Sequence, residues 1–353
     1  MSLINSNKKR VVKEQKTLLI DGESLLKQGF YGTKDTVTKN GRIATVYNFY
    51  NQIRKIYETD LFNKVVVFWE GEDSKKYRQN YYSKYKSDRV TSELDQYLET
   101  DLMNKRLLVK NCNEDLFIRQ VEVYGCEADD AIALYCKMAP NEIKTICTND
   151  MDLTQLIDVN TKVYLWGKKI LVNFINFKSY FKYHHENVGL IKILAGDKSD
   201  NIAGLQNIGP DTVLKLFPEI IDNPITLDWV RERAKQLLDE NPKSNKIRTI
   251  VEGTAKWGPT GDDYYHVMKT IIDLREPYSP EELITEINEA INGVLNPEGR
   301  SGVEGVISTF ATYGIGVLFS RKDEYFLEFW NPFLNIVNTE KRKYNSYLAK
   351  TNL

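Results

Sequence analysis

Three short apolar runs, each bounded by polar residues, punctuate the first half of the chain: Thr17–Ile20, Val65–Trp69 and Lys144–Cys147. Runs this brief, separated by helix-length stretches, predict buried strands alternating with helices, and so a mostly parallel central sheet flanked by helices in an α/β domain. Each run leads into a carboxylate, namely Asp21, Glu70 and Asp150. Open α/β sheets bind ligands beyond the carboxyl ends of their strands, so these acids are expected at one edge.

Helical periodicity marks residues 125–137, where Ala128, Ala131, Ile132 and Tyr135 share a face and Glu127, Asp129 and Asp130 fill the first turn. Acids complement the dipole at a helix N-terminus, but three in four residues exceed that need. Their mutual repulsion raises their pKa values unless a cation lies between them. Residues 162–172 predict a β-hairpin turning near Gly167 at the sheet's edge. A helical run, Gly189–Ala195, precedes GDKSDN, which adds Asp197 and Asp200. Leu205–Phe217 reads as a tight turn opening a helix, and Thr226–Glu240 as an amphipathic helix. Residues 241–262, polar and carrying Pro242, Pro259 and three glycines, predict a flexible insertion. Residues 263–353 return to helical patterning without a chemical motif.

Composition narrows the function. A chain of 353 residues buries one large core, or one core plus a smaller unit. With 42% apolar and 27% charged residues it has the make-up of a soluble globular protein. A net charge of −1 excludes nucleic-acid binding by overall basicity and leaves local patches. Cys112, Cys126, Cys136 and Cys147 form no CxxC and read as reduced thiols. The basic start, 1–16, lacks a signal-peptide core, and no run approaches the ~18 apolar residues of a membrane span, so a cytoplasmic, non-membrane protein is expected.

The candidate chemistry is acidic. Asp21, Glu70, Glu127, Asp129, Asp130, Asp150, Asp152, Asp197 and Asp200, without a nearby His or Cys, favour hard cations, Mg²⁺ or Mn²⁺. So many acids suit two ions, which can activate a water and stabilise the leaving oxygen of a phosphodiester. His184 and His185 read as a surface pair with diverging side chains. A second patch, Lys75–Arg89, interleaves Lys75, Lys76, Arg78, Lys84, Lys86 and Arg89 with Tyr77, Tyr81, Tyr82 and Tyr85. If helical, it aligns Arg78, Tyr82, Lys86 and Arg89 on one face, with charges for phosphates and rings for bases.

The motifs IDG (20–22), EADD (127–130), TNDMDLTQLI (148–157) and GDKSDNIAGLQNIGPDT (196–212) follow one another as in the 5′ nucleases. The chain resembles that family of flap endonucleases, DNA polymerase I 5′-nuclease domains and phage 5′–3′ exonucleases, and most of all phage members such as the T-even phage ribonuclease H. The resemblance covers roughly residues 15–275. It implies a PIN-like catalytic domain over 17–195 with a helical arch at 71–110, a helix–three-turn–helix region at 196–275 and a helical C-terminal part, 276–353. It implies one metal group of Asp21, Glu70, Glu127 and Asp129 and a second of Asp150, Asp152 and Asp200. Asp129 lies between them, and Asp130 and Asp197 support them. Arg78 and Lys86 would act on the phosphate being cut, with Lys84, Tyr82 and Arg89 on the strand. Gly204, Asn207, Gly209 and Thr212 would hold duplex phosphates beside a potassium ion. The implied substrates are DNA with a 5′ flap or free 5′ end and RNA–DNA hybrids, in replication or repair in a phage-infected cell. A monomer is expected; a single-strand-binding protein or sliding clamp is a candidate partner for residues 276–353, against the plainer reading of a solvated tail.

Three departures stand out. Glu70 replaces the family's usual Asp, Asn207 a glycine and Asp211 a basic residue. A dehalogenase-type phosphatase needs Asp-x-Asp where this chain has Asp21-Gly22-Glu23. PIN ribonucleases are shorter and lack the second region. A catalytically dead scaffold would have lost carboxylates, and no GxGxxG follows the first strand.

Overall fold

A computed structural model describes residues 15–32, 43–87, 93–315 and 323–351. The apolar runs form β1 (Lys16–Asp21), β2 (Lys64–Phe68) and, after a three-residue β3 (Arg119–Val121) that no apolar run announces, β4 (Ile143–Thr148). The predicted hairpin is β5 (Thr161–Leu165) and β6 (Ile170–Val172). Strand order is β3-β2-β1-β4-β5-β6, parallel except for the antiparallel edge strand β6.

Helices fill the intervals: α1 (Gly22–Gly32), α2 (Ala44–Thr59), α3 (Lys76–Tyr81), α4 (Glu93–Asp115), α5 (Ala128–Met138) and α6 (Val188–Ala195). A short hairpin, β7 (Gly196–Asp197) and β8 (Ile202–Ala203), then leads into α7 (Pro210–Leu216), α8 (Leu227–Glu240), α9 (Asn245–Glu252) and α10 (Gly261–Ile272). Three more helices follow: α11 (Glu281–Asn292), α12 (Gly302–Thr312) and α13 (Asp323–Thr351).

Alternation along the strands sends side chains to opposite faces. Leu18, Ile20, Val65 and Val67 pack with Phe30 of α1, Phe49 and Ile53 of α2, and Phe329 and Phe333 of α13. Leu19, Val66, Phe68 and Ile146 pack with Ala131, Ile132 and Tyr135 of α5 and Leu283 and Ile287 of α11. A third core, built by α6 to α10, takes in Tyr82 and Tyr85.

Two sequence expectations change here. Residues 241–262 contain helix α9 rather than a structureless insertion. Ser244 caps it by accepting a hydrogen bond from Ile247 N (3.4 Å), Gly253 ends it in a left-handed turn, and Ile247 and Ile250 enter the third core. The basic segment is not one helix either. α3 ends at Tyr81, Tyr82 is extended, Lys86 has φ +50°, and Arg89 lies outside the described residues.

Candidate active site

The acids meet beyond the carboxyl edge of the sheet, delivered by different chain segments. Asp21 ends β1 and is buried, accepting hydrogen bonds from Ser24 N (3.0 Å) and Thr148 Oγ1 (2.7 Å). Thr148, the last residue of β4, also accepts one from Asp150 N (2.8 Å), so one hydroxyl ties the ends of β1 and β4 together. Glu70 follows β2, Asp129 lies in the first turn of α5, and Asp200 lies between β7 and β8.

Burial and mutual repulsion dominate the electrostatics. Burial, with Asp150 and Glu23 nearby, pushes Asp21 up to about 6 against the two hydrogen bonds it accepts. Burial and Glu127 push Glu70 up to about 7. Asp129 is driven well above the carboxylate range by burial and then by Asp150, Asp21 and Glu70. Asp150 and Asp200 are raised chiefly by burial. Carboxylates that repel one another, Asp21 buried and the others half-buried, are the donor type that hard divalent cations prefer.

The other acids already have cations. Glu127, at the N-cap of α5, accepts hydrogen bonds from Arg78 Nη1, Lys86 Nζ (2.6 Å) and the Tyr85 hydroxyl (3.1 Å). Burial works against its charge, but Arg78 and Lys86 outweigh that and lower its pKa. Asp130 takes two bonds from Arg78, Nη1 at 2.6 Å and Nη2 at 3.0 Å, and a third from Tyr278 N (3.1 Å). Lys192 Nζ bridges Asp152 and Asp197. Burial raises the pKa of Asp197, yet Lys192 and Ser199 bring it below the ordinary value.

These contacts bear on the roles expected from sequence. Asp130 positions Arg78, and both its oxygens are engaged. Arg78 is buried, and with its Nε bond to Ile271 O (2.9 Å) four of its five N–H donors are used inside the protein. These bonds tie α3 to α5 and α10. Lys86 remains at the acids: its backbone N donates to Asp200 O (2.9 Å), and its Nζ stands 4.0 Å from Asp200 Oδ2. Asn201 Nδ2 pins the same turn through Lys84 O (3.0 Å) and Ser87 Oγ (3.1 Å). Tyr82 and Tyr85 are buried in the third core, so they offer no face to a base.

A cavity of about 540 Å³ runs from Asp150, Asp152 and Asp197 to Pro210 at the start of α7. The loop at its far end has the tight turn expected of it. Asn207 is left-handed (φ +59°) and exposed, Thr212 is half-buried, and Thr212 N donates to Gly209 O (2.9 Å). Gly204 is required by close packing: a Cβ there would lie 2.1 Å from Ala195 O. Gly209 has φ −123° and open space around it, so its conformation demands no glycine.

The histidines do not diverge. Their rings stack at 4.4 Å, and His184, His185 and Glu186 bring ligand atoms within 4.8 Å of one another. His184 is extended while His185 opens a 3-10 turn, which swings both rings to one side. All four cysteines are free thiols. Among the described residues, no helix is long and apolar enough to cross a membrane.

Solved structures share this fold. T5 5′-exonuclease with bound zinc superposes with a TM-score of 0.57 at 15% identity, covering 79% of this chain and 94% of that one. T5 flap endonuclease, in a pseudo-enzyme–product complex with DNA and metal ions, gives 0.58 at 14% identity over 85% of this chain and 99% of that one. Both likenesses are of fold. Residues 16–186 match the 5′–3′ exonuclease N-terminal resolvase-like domain. The 5′–3′ exonuclease of Bacillus subtilis (strain 168) is 32% identical over 218 residues, 58% of this chain and 70% of that relative. The chain belongs to the 5′–3′ exonuclease family. It also matches a thermostable DNA polymerase I of Thermus thermophilus, 29% identical over 220 residues, 58% of this chain, but spans only 24% of that polymerase's length.

Proposed function

We propose that the chain is a structure-specific 5′ nuclease that hydrolyses phosphodiesters at 5′ flaps or free 5′ ends of DNA, and at RNA–DNA hybrids, with two divalent ions. What supports this reading is that Asp21, Glu70, Asp129 and Asp150 come from separate chain segments at one sheet edge and raise one another's pKa values. The first ion would be held by Asp21, Glu70 and Asp129, and the second by Asp129, Asp150 and Asp200. Mg²⁺, or Mn²⁺ in its place, would activate water and offset charge on the scissile phosphate. Glu127 and Asp130 set the floor of the site through Arg78. Lys86 Nζ, between Glu127 and Asp200, would be the cation within reach of a phosphate oxygen. The 201–212 loop, with a potassium ion, would grip duplex phosphates at the other end of the cleft, so recognition follows DNA structure rather than sequence.

Digestion of 5′-labelled flap, nicked, blunt and RNA-primed duplexes with Mg²⁺ tests this. Wild type should release 5′ products, and Asp150→Asn and Asp200→Asn should lose cleavage while keeping junction binding. Normal turnover by either variant would refute the two-ion assignment, and inert wild type would refute the nuclease reading.

A further inference from the structure

Trp257 stands in the loop joining α9 to α10. Gly261 N donates to Gly253 O (3.1 Å) and closes that loop at its base. Its middle is tied to the loop after β8: Gln206 N donates to Thr254 O (2.9 Å), Lys256 N to Gly204 O (3.2 Å), and Leu205 bridges to Ala255. Its tip rests on the turn that carries Lys86. The indole lies beside the Tyr82 side chain, and the Lys84 ammonium lies 5.2 Å from the indole centroid. Gly258, at φ +93°, packs so close that a Cβ would sit 3.0 Å from the Tyr82 ring.

Exposure sets this tryptophan apart. Trp69, Trp166 and Trp330 are buried and Trp229 is half-buried, whereas Trp257 leaves 41% of its surface open. An aromatic this large is ordinarily well covered. Here it stands in the open, with the exposed Lys84 ammonium 5.2 Å from its ring and the exposed Lys256 preceding it in the chain. A fixed aromatic face flanked by ammonium groups suits a nucleic-acid strand, with the ring stacking on a base and the cations meeting the phosphates.

We propose that Trp257 is a nucleobase-stacking platform. It receives one base of the DNA where the strand passes from the 204–209 loop to the Lys84–Lys86 turn. The inference rests on the nuclease reading and adds a base contact to a site otherwise built for phosphates. Lys84 then serves the same nucleotide, exchanging its place over the indole for the phosphate.

The test uses the full chain in EDTA, so that nothing is cleaved. The probes are a 5′-flap oligonucleotide duplex and copies with a single abasic residue placed in turn at each position around the junction. Wild type should show saturable quenching of tryptophan emission, and Trp257→Phe should lose most of that quenching while binding within a few fold. Trp257→Ala should bind roughly 5- to 150-fold more weakly, the range found for removing a stacked aromatic. That penalty should vanish on one abasic copy, since no base is left there to stack. A role confined to propping the Tyr82 turn predicts the same penalty on every copy, and this result would overturn the proposal, as would undiminished quenching in Trp257→Phe. Either result with flap cleavage by wild type intact leaves the nuclease reading standing. Wild type that neither binds nor cuts flap DNA refutes both.

Discussion

Replacing Arg78 with methionine removes the cation that Glu127 and Asp130 share inside the protein. The guanidinium is buried, and Asp130 is almost fully so, which rules out much solvent screening. Removing one partner of a buried ion pair costs about 3–5 kcal/mol, because the carboxylate left behind stays desolvated. Ile271 O also loses its donor. Lys86 and Tyr85 still serve Glu127, so the larger part of the loss falls on Asp130. Arg78→Met should therefore be destabilised by about 3–5 kcal/mol in urea unfolding, read from the midpoint at unchanged slope. Pairing it with Asp130→Leu removes the stranded charge, and the double variant should be more stable than Arg78→Met alone. A loss under about 1 kcal/mol, or a double variant no more stable than the single one, would refute a structural role and return Arg78 to the phosphate.

Two further outcomes follow from the same geometry. Asp21 and Glu70 titrate higher in the folded protein than in the unfolded chain, so between about pH 4 and 7 the folded state binds more protons and stability falls as pH rises. Metal-free protein should lose melting temperature from pH 5 to 7.5, while Mn²⁺ affinity by titration calorimetry rises over that window as protons cease to compete; a flat affinity profile would contradict the ligand set. Gly204→Ala forces a Cβ against Ala195 O and should cost about 1–3 kcal/mol in thermal or urea unfolding, whereas Gly209→Ala should cost under about 1 kcal/mol; equal effects would refute the close packing of Gly204 as the cause.

The strands and their acids were legible because a short apolar run ending in a carboxylate is a local pattern, as in TLLID and KTICTND. The first turn of α5 was legible for the same reason. β3 escaped because three residues, two of them polar, carry no period. Helix α9 had readable signals, a Ser cap and Ile247 spaced three from Ile250, but the surrounding prolines and glycines outweighed them. The breakdown of the basic helix at Tyr82 had no local signal. Tyr82 and Tyr85 are drawn into a core made by α6 to α10, and Lys86 is turned by a bond to Asp200, over a hundred residues away. Trp257 escaped because neither its exposure nor its neighbour Tyr82 can be read from sequence.

The sorting of the acids is the part that only tertiary structure supplies. Nine carboxylates around one sheet edge would oppose folding by repulsion if all were left to a metal. Four of them are instead offset by cations of the chain itself: Glu127 and Asp130 by Arg78 with Lys86, and Asp152 and Asp197 by Lys192. Those pairs brace the site with or without a divalent ion. The strongly raised acids Asp21, Glu70 and Asp129 are then the ones whose charge an added cation relieves most. Glu70 departs from the family's aspartate, yet it shares the electrostatics of Asp21. That places it among the acids whose charge a bound cation would relieve rather than among those paired within the frame.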